Sequence, residues 1–111
     1  MIEQIIRDYL VDCLTVGVYY DIPNKPGSEY VTLEKTGGGE SNHLKRATLA
    51  IQSRADSTYD AAALNEKVKE AMLNIITLDS IASVSLNSDY NFTDTVTKKH
   101  RYQAVFDLIF Y

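Results

Sequence analysis

The sequence predicts an α+β domain in which two helices pack on one face of a mainly antiparallel β-sheet. Three observations lead to this prediction. Apolar residues recur at helical spacing in two segments, they alternate with polar residues in five others, and the segments follow the order α-β-β-β-α-β-β. A chain of 111 residues, 45% hydrophobic and 23% charged, suffices for one globular core. We therefore treat residues 1–111 as a single domain.

The first helix is predicted at residues 2–14. Its apolar stripe consists of Ile2, Ile5, Ile6, Tyr9, Leu10, Cys13 and Leu14. The opposite face is mixed to acidic, whereas a helix that lies on a membrane carries a basic one, so this helix is expected to pack on protein. Because Cys13 belongs to the stripe, we expect its thiol to be buried and chemically inert.

Three strands are predicted next. Period-two alternation predicts the first over residues 15–22, and two prolines with a glycine predict a surface loop at 23–29. The second strand is predicted at 30–36. The triple glycine at 37–39 then predicts a turn, because glycine adopts positive φ without steric cost. The third strand is predicted at 44–54, with three residues facing the core: Ala47, Leu49 and Ile51.

A second helix and two strands complete the predicted order. Asp56 or Ser57 can cap the helix by accepting a free backbone N–H, and the stripe that follows is Ala61, Leu64, Val68, Ala71, Met72 and Ile75. The penultimate strand is predicted to place on one face Val84, Leu86, Ser88, Tyr90 and Phe92. The last strand is predicted over residues 101–111. One of its faces carries alternating apolar residues, and the other carries Val105, Ile109 and Tyr111.

Composition excludes several classes of function. A formal net charge of −4 argues against a protein that binds duplex DNA by neutralising phosphates. A single cysteine forbids an internal disulfide and a thiolate zinc cluster, and it favours a reducing compartment. No apolar run approaches the roughly 20 residues that span a bilayer. The expectation is a soluble cytoplasmic protein that has no membrane partner.

No motif predicts catalytic, cofactor-binding or metal-ligating residues. The triple glycine is not followed by the Lys-Ser/Thr pair and helix of a phosphate-binding loop. The two histidines, His43 and His100, lack a second ligand at metal-binding spacing. Asp89 and Asp94, near the penultimate turn, could hold a divalent cation together, but we do not expect a metal site there. We therefore expect an assembly or binding protein without a cofactor, not an enzyme.

Three strings resemble those of the tail-terminator and tail-completion (minor tail) proteins of long-tailed bacteriophages and prophages. They are residues 30–38, where a strand runs into Thr-Gly-Gly, residues 49–57, which lead into an Ala-rich helix, and the closing strand at 101–108. The resemblance implies a homo-oligomeric ring, often a hexamer, that caps the tail tube and ends its polymerisation. The implied partners are further copies of the chain, the tail-tube protein and the head-tail connector protein. DNA would pass at most through the ring lumen.

The same resemblance implies a place in the cell: the host cytoplasm during assembly, then the head-proximal end of the virion tail. A closed ring needs two complementary patches on each subunit. Helices cover only one sheet face, so the candidate subunit interface is the surface and edge of the first and last strands, with Tyr19, Val105, Ile109 and Tyr111 as anchors. The candidate partner-docking loops are 23–29 and 36–43, expected to be mobile in the free subunit, and their key residues are Pro23, Asn24, Lys25, Pro26, Gly37, Gly38 and Gly39.

Two other functions remain open at this point. The first stays within the virion and makes the chain a head-tail connector or stopper, or a tail-tube subunit. The second is of another class, a small-ligand-binding or enzymatic α+β domain whose site would lie in a cleft between sheet and helices.

Overall fold

The computed structural model describes residues 1–111 and confirms the α+β fold and the predicted order of elements. Helix α1 spans Ile2–Cys13 and helix α2 spans Thr58–Leu73, followed by a short 3₁₀ turn at Ile75–Thr77. The strands are β1 (Gly17–Tyr19), β2 (Tyr30–Ser41), β3 (Leu44–Ala55), β4 (Ile81–Asn91) and β5 (His100–Phe110).

The sheet has five strands in the order β1-β2-β3-β5-β4. Two antiparallel hairpins, β2–β3 and β4–β5, join side by side through the β3–β5 pair, and only β1 runs parallel to its neighbour. The last strand of the chain is therefore an interior strand, hydrogen-bonded on both sides. The prediction that β5 offers an edge to a neighbouring subunit is wrong; the edges are β1, the outer part of β2, and β4.

One apolar cluster of 19 buried residues holds the helices on a single face of the sheet. Helix α1 contributes Ile2, Ile6 and Leu10, and the predicted stripe of α2 is buried as a whole. The sheet contributes the predicted alternate residues, including Leu49, Ile51 and Phe106. At the start of α2, the Ser57 hydroxyl accepts a hydrogen bond from the backbone N–H of Asp60 at 3.1 Å, which confirms one of the two predicted caps.

Strand β1 is shorter than predicted, three residues instead of eight, and it is parallel to β2. The alternation fails beyond Tyr19 because the chain must turn back over a ten-residue connection to bring Tyr30 beside Gly17, and Ile22 is left exposed. A Cβ at position 17 would collide with the ring of Tyr19, so a larger residue there would have to displace that ring.

The triple glycine lies within strand β2 and not in a turn. The turn is formed instead by Asn42 and His43, at φ 52° and 66°, while no glycine of the chain has a positive φ. A two-residue hairpin loop needs positive φ at both positions, and asparagine tolerates that conformation well. The glycines follow a bulge between Lys35 and Gly37. The predicted docking loop at 36–43 is therefore a β-hairpin arm.

Cys13 is exposed, so the prediction of a buried thiol is wrong. The fully buried residues of α1 recur every fourth position, at Ile2, Ile6 and Leu10, and this line continues to Leu14. Cys13 stands beside that line, in the last turn of the helix, and faces a cleft rather than the sheet.

Two bulges in β4, at Ile81/Ser83 and Leu86/Ser88, change which face its residues occupy. Leu86 pairs with Phe106 on the helix side, whereas Tyr90 pairs with Gln103 on the opposite side. The prediction that both share one face is wrong, because an extra residue in a bulge shifts the alternation by one.

Candidate assembly surface

The sheet residues that point away from the helices form a surface that we call the open face. The strand register arranges them in rows across the sheet: Tyr30–Arg54–Arg101, then Tyr19–Thr32–Gln52–Gln103–Tyr90, then Glu34–Ala50–Val105–Ser88, then Thr48–Asp107–Ser85, and last Arg46–Ile109–Ser83. No helix packs on these rows, so the open face is the largest continuous part of the sheet available to another molecule.

Asp107 is the centre of a hydrogen-bonded group on the open face. Its two carboxylate oxygens accept from the Thr48 hydroxyl at 2.8 Å and from the Asn87 side-chain amide at 2.9 Å. These bonds, the one from Asn87 first, lower the pKa of Asp107 below its ordinary value. A carboxylate held ionised in this way is a poor proton acceptor at neutral pH, and its bonds instead fix three strands in register.

A second set of hydrogen-bonded side chains runs along the row that includes Gln52. The Gln52 amide donates to Gln103 at 2.9 Å, Gln103 donates to the Tyr90 hydroxyl, and Arg54 donates to the Gln52 carbonyl oxygen at 2.5 Å. Together with the Asp107 group, these bonds order the side chains of the open face before any partner arrives.

Three of the predicted anchors lie along β5 on the open face. Val105 and Ile109 are half-buried, and Tyr111, just past the end of the strand, is 68% exposed. Tyr19 is also on the open face, half-buried, with its ring 6.3 Å from that of Tyr30. Tyr19 lies three strands across the sheet and several residues along it from Ile109. Ordinary strand spacing and rise make this separation roughly 24 Å. The fold therefore separates the four anchors into two patches.

The predicted loop at 23–29 is a surface connection. Asn24, Lys25 and Pro26 are exposed and Pro23 is half-buried. Just before it, Tyr20 and Ile22 line a groove of about 360 Å³ with residues of the open face, among them Thr32. This segment therefore covers one corner of the open face, next to β1.

Arg54 is the functional candidate that the sequence did not reveal. The alternation along β3 predicts that Arg54 faces away from the core, as it does, but the residue lies in that corner and is only 9% exposed. Its guanidinium carbon is 6.0 Å from the centre of the Tyr30 ring, and Arg101 is directly opposite across the β3–β5 pair. Burial, and secondarily Arg101, lower the pKa of Arg54, while Tyr30 opposes them. No local pattern signals this, since the groove and cavity that Arg54 lines are formed with distant segments, at residues 20–28 and 98–100.

The two aspartates considered as a cation site have other partners. Asp89 accepts from the buried Asn65 amide at 2.6 Å and from Lys69 at 2.5 Å, which ties β4 to α2. Asp94 accepts from the backbone N–H groups of Val96 and Thr97 and shapes the turn before β5. No group of three or more His, Cys, Asp or Glu residues is placed to hold a metal ion.

A cleft of about 470 Å³ opens between the end of α1 and α2. Its lining includes Tyr9, Cys13, Leu64 and Lys67. The Tyr9 hydroxyl donates to the carbonyl oxygen of Ala71 at 2.7 Å, and burial, then Cys13, raise the pKa of Tyr9 to about 12. The cleft is where the ligand-binding alternative would place its site.

Neither helix is long and apolar enough to cross a bilayer.

Comparison with known proteins gives a likeness in fold. No family model matches the sequence, and no curated protein matches it. Among solved structures, the chain is similar to a chain in the virion of a native gene transfer agent particle, with a TM-score of 0.65 and 14% identity. The superposition covers 96% of this chain and 84% of that chain. At this identity, the likeness shows that the two chains share one fold over almost their whole length.

Proposed function

We propose that the chain is a structural protein of a phage or prophage virion that caps the tail tube as a ring of identical subunits, ends tube polymerisation and forms the surface that joins the head connector. The observation that carries the proposal is the fold shared over 96% of the chain with a component of a phage-like virion. The tail-terminator role is the finer part of the proposal and rests on the sequence resemblance at residues 30–38, 49–57 and 101–108.

The shape of the sheet supports assembly with further copies. Strand β1 pairs only with Tyr30–Thr32, so the outer side of β2 from Leu33 to Ser41 has no neighbouring strand. Strand β4 is likewise unpaired on its outer side along Ile81–Asn91. Two unpaired edges on opposite sides of a sheet suit a head-to-tail contact, which closes into a ring when the rotation between subunits closes.

The open face supplies the second element of an assembly surface. Val105 and Ile109 are apolar side chains among ordered polar groups, a mixture typical of interfaces between separately folded chains. Permanent contacts favour side chains that are already fixed, because less conformational entropy is lost on binding.

The function is tested by adding the purified chain to tail-tube protein from the same virus or prophage while tubes polymerise. We expect tubes of limited length whose ends carry rings in negative-stain images. Three other outcomes contradict the proposal in different ways. Tubes of unrestricted length exclude a terminator, self-polymerisation of the chain indicates a tail-tube subunit, and binding to the connector without any effect on tube length indicates a connector or stopper.

Replacing Ile109 with Glu tests the open face as the contact surface. The variant is expected to fold, because Ile109 lies outside the helix-covered core, and to lose capping, because a contact would bury a carboxylate without a partner. Ile76→Glu is the matched control, since Ile76 is an exposed isoleucine just after α2. Circular dichroism reports the fold and tube length reports the function. If Ile109→Glu unfolds the chain, the residue belongs to the core; if it caps tubes normally, the contact lies elsewhere.

A further inference from the structure

Arg54 is a buried cation that the folded chain leaves without a counterion. Its side chain is 9% exposed, its Nε–H group has no acceptor, and its hydrogen bond goes to the neutral amide of Gln52. The ion pairs of the structure are all elsewhere, at Arg7–Asp8 and around Lys69. Buried charges in folded proteins are ordinarily paired, because removing an ion from water opposes folding.

The surroundings increase the positive charge instead of balancing it. Arg101 is the direct cross-strand neighbour of Arg54, and like charges at opposed positions destabilise a sheet. A cavity of about 540 Å³ is lined by Arg54 together with Lys98, Lys99 and His100. Asp56 is the one carboxylate in this lining, and it forms no ion pair with Arg54. We call this space the Arg54 cavity.

We propose that the Arg54 cavity binds a carboxylate side chain of a neighbouring protein chain. A planar guanidinium binds a carboxylate through parallel N–H donors, and the buried Nε–H group of Arg54 has no acceptor within the chain. Lys98 and Lys99 also line the cavity and add further positive charge to it. That the neighbouring chain is a virion subunit rests on the proposed function; the binding of a carboxylate does not.

A carboxylate fits this cavity better than nucleic acid does. Duplex binding relies on several exposed cations that contact successive phosphates, and the chain as a whole carries a net charge of −4. Arg54 as a whole residue is 9% exposed, so a ligand that contacts it has to enter the cavity. A single side chain can enter a space of about 540 Å³, whereas a duplex backbone stays at the surface.

The test measures thermal unfolding of the isolated protein in the presence of N-acetyl-glutamate α-amide, with phosphate and chloride at equal ionic strength. The carboxylate is expected to raise Tm by about 4 °C at several times its Kd, more than either inorganic ion. Arg54→Gln is expected to abolish this shift. Arg46→Gln, the matched control, alters an exposed arginine of the same face and is expected to retain it.

Unfolding without added anion separates binding from structural support. Because Arg54→Gln removes an unpaired buried charge, it is expected to leave Tm unchanged or higher; a Tm lowered by several degrees would mean that Arg54 serves the fold. Equal carboxylate shifts in the wild type and Arg54→Gln overturn the proposal, and a larger shift with phosphate overturns it in favour of a phosphate-bearing ligand. If Arg54→Gln does not fold, Arg54→Lys keeps the charge without the planar fork and is expected to retain less than a third of the shift.

The thermal-unfolding test does not depend on whether the chain caps tubes, because it uses the isolated protein. The tube assay then tests which chain supplies the carboxylate. If the wild type caps tubes and the Arg54→Gln variant does not, the carboxylate belongs to a virion subunit. If the wild type does not cap tubes, the proposed function is wrong, but the proposal that the Arg54 cavity binds a carboxylate is unaffected.

Discussion

The two faces of strand β5 differ in what holds them in place. On the helix side, Ala104, Phe106 and Leu108 are fully buried in one apolar cluster. On the open face, Val105 and Ile109 are half-buried and stand beside Asp107, whose carboxylate is fixed by hydrogen bonds. One strand thus carries the core of the domain on one side and an ordered surface without helices on the other. Residues one position apart are therefore expected to affect different properties: stability on one face, assembly on the other.

The largest expected difference is between Phe106 and its neighbour Val105. Phe106→Ala leaves a large cavity in the core and is expected to lower the free energy of unfolding by about 3–5 kcal/mol. Val105→Ala removes less area from a half-buried position and is expected to lower it by about 1 kcal/mol or less. Urea denaturation of both variants measures the two values. Equal losses would show that the open face supports the fold as much as the core does.

A smaller effect is expected at Asp107, through pH. Its folded-state pKa is lowered, so its stabilising contribution is complete above the unfolded pKa, near 4, and is lost as pH falls through the folded-state value. Asp107→Asn is expected to cost about 1 kcal/mol at pH 7, a value kept small by solvent screening, and the difference from wild type should shrink below pH 4. Denaturation at several pH values checks this. A constant difference would mean that the bonds of Asp107 do not depend on its charge.

The smallest effect is expected on the helix side, at Tyr9. Its pKa is raised to about 12, so its neutral hydroxyl stabilises the fold at pH values below the unfolded pKa of about 10, and this contribution is lost as pH rises through the folded-state pKa. Tyr9→Phe removes the bond to Ala71 and is expected to cost about 0.5 kcal/mol at pH 7. Stability measured from pH 9 to 12 should converge for the two proteins. A gap that stays unchanged up to pH 12 would mean that ionisation of the Tyr9 hydroxyl is not linked to folding.

Periodicity in the sequence predicted the covered face well, because burial against one layer of helices repeats at a fixed interval along each element. The stripes of Ile2, Ile6 and Leu10 and of Leu49 and Ile51 follow from local order alone. The wrong predictions concern features that are determined by segments distant in the sequence. Strand β1 ends at Tyr19 because of its parallel partner, and β5 is interior because β3 and β4 flank it.

The candidate surface was predicted less completely than the fold. Val105, Ile109 and Tyr111 lie together along the open side of β5, and Tyr19 lies apart from them. The bulge after Leu86 moves Tyr90 onto the open face, and the segment at 20–22 lines a groove together with Arg54. Neither effect is a property of the local sequence. A bulge and a crossing segment depend on how strands pair, and pairing is fixed only in three dimensions.

The parallel pairing of β1 has a consequence for the order in which the molecule folds. Strand β1 contributes a parallel pair of only three residues at the end of the sheet, whereas the hairpins β2–β3 and β4–β5 pair over most of their length. We expect Gly17–Tyr19 to form late and to open first, so that its amide hydrogens exchange faster than those of β3 and β5. The corner that shelters Arg54 would then be the most mobile part of the sheet, opening and closing while the rest of the domain stays folded.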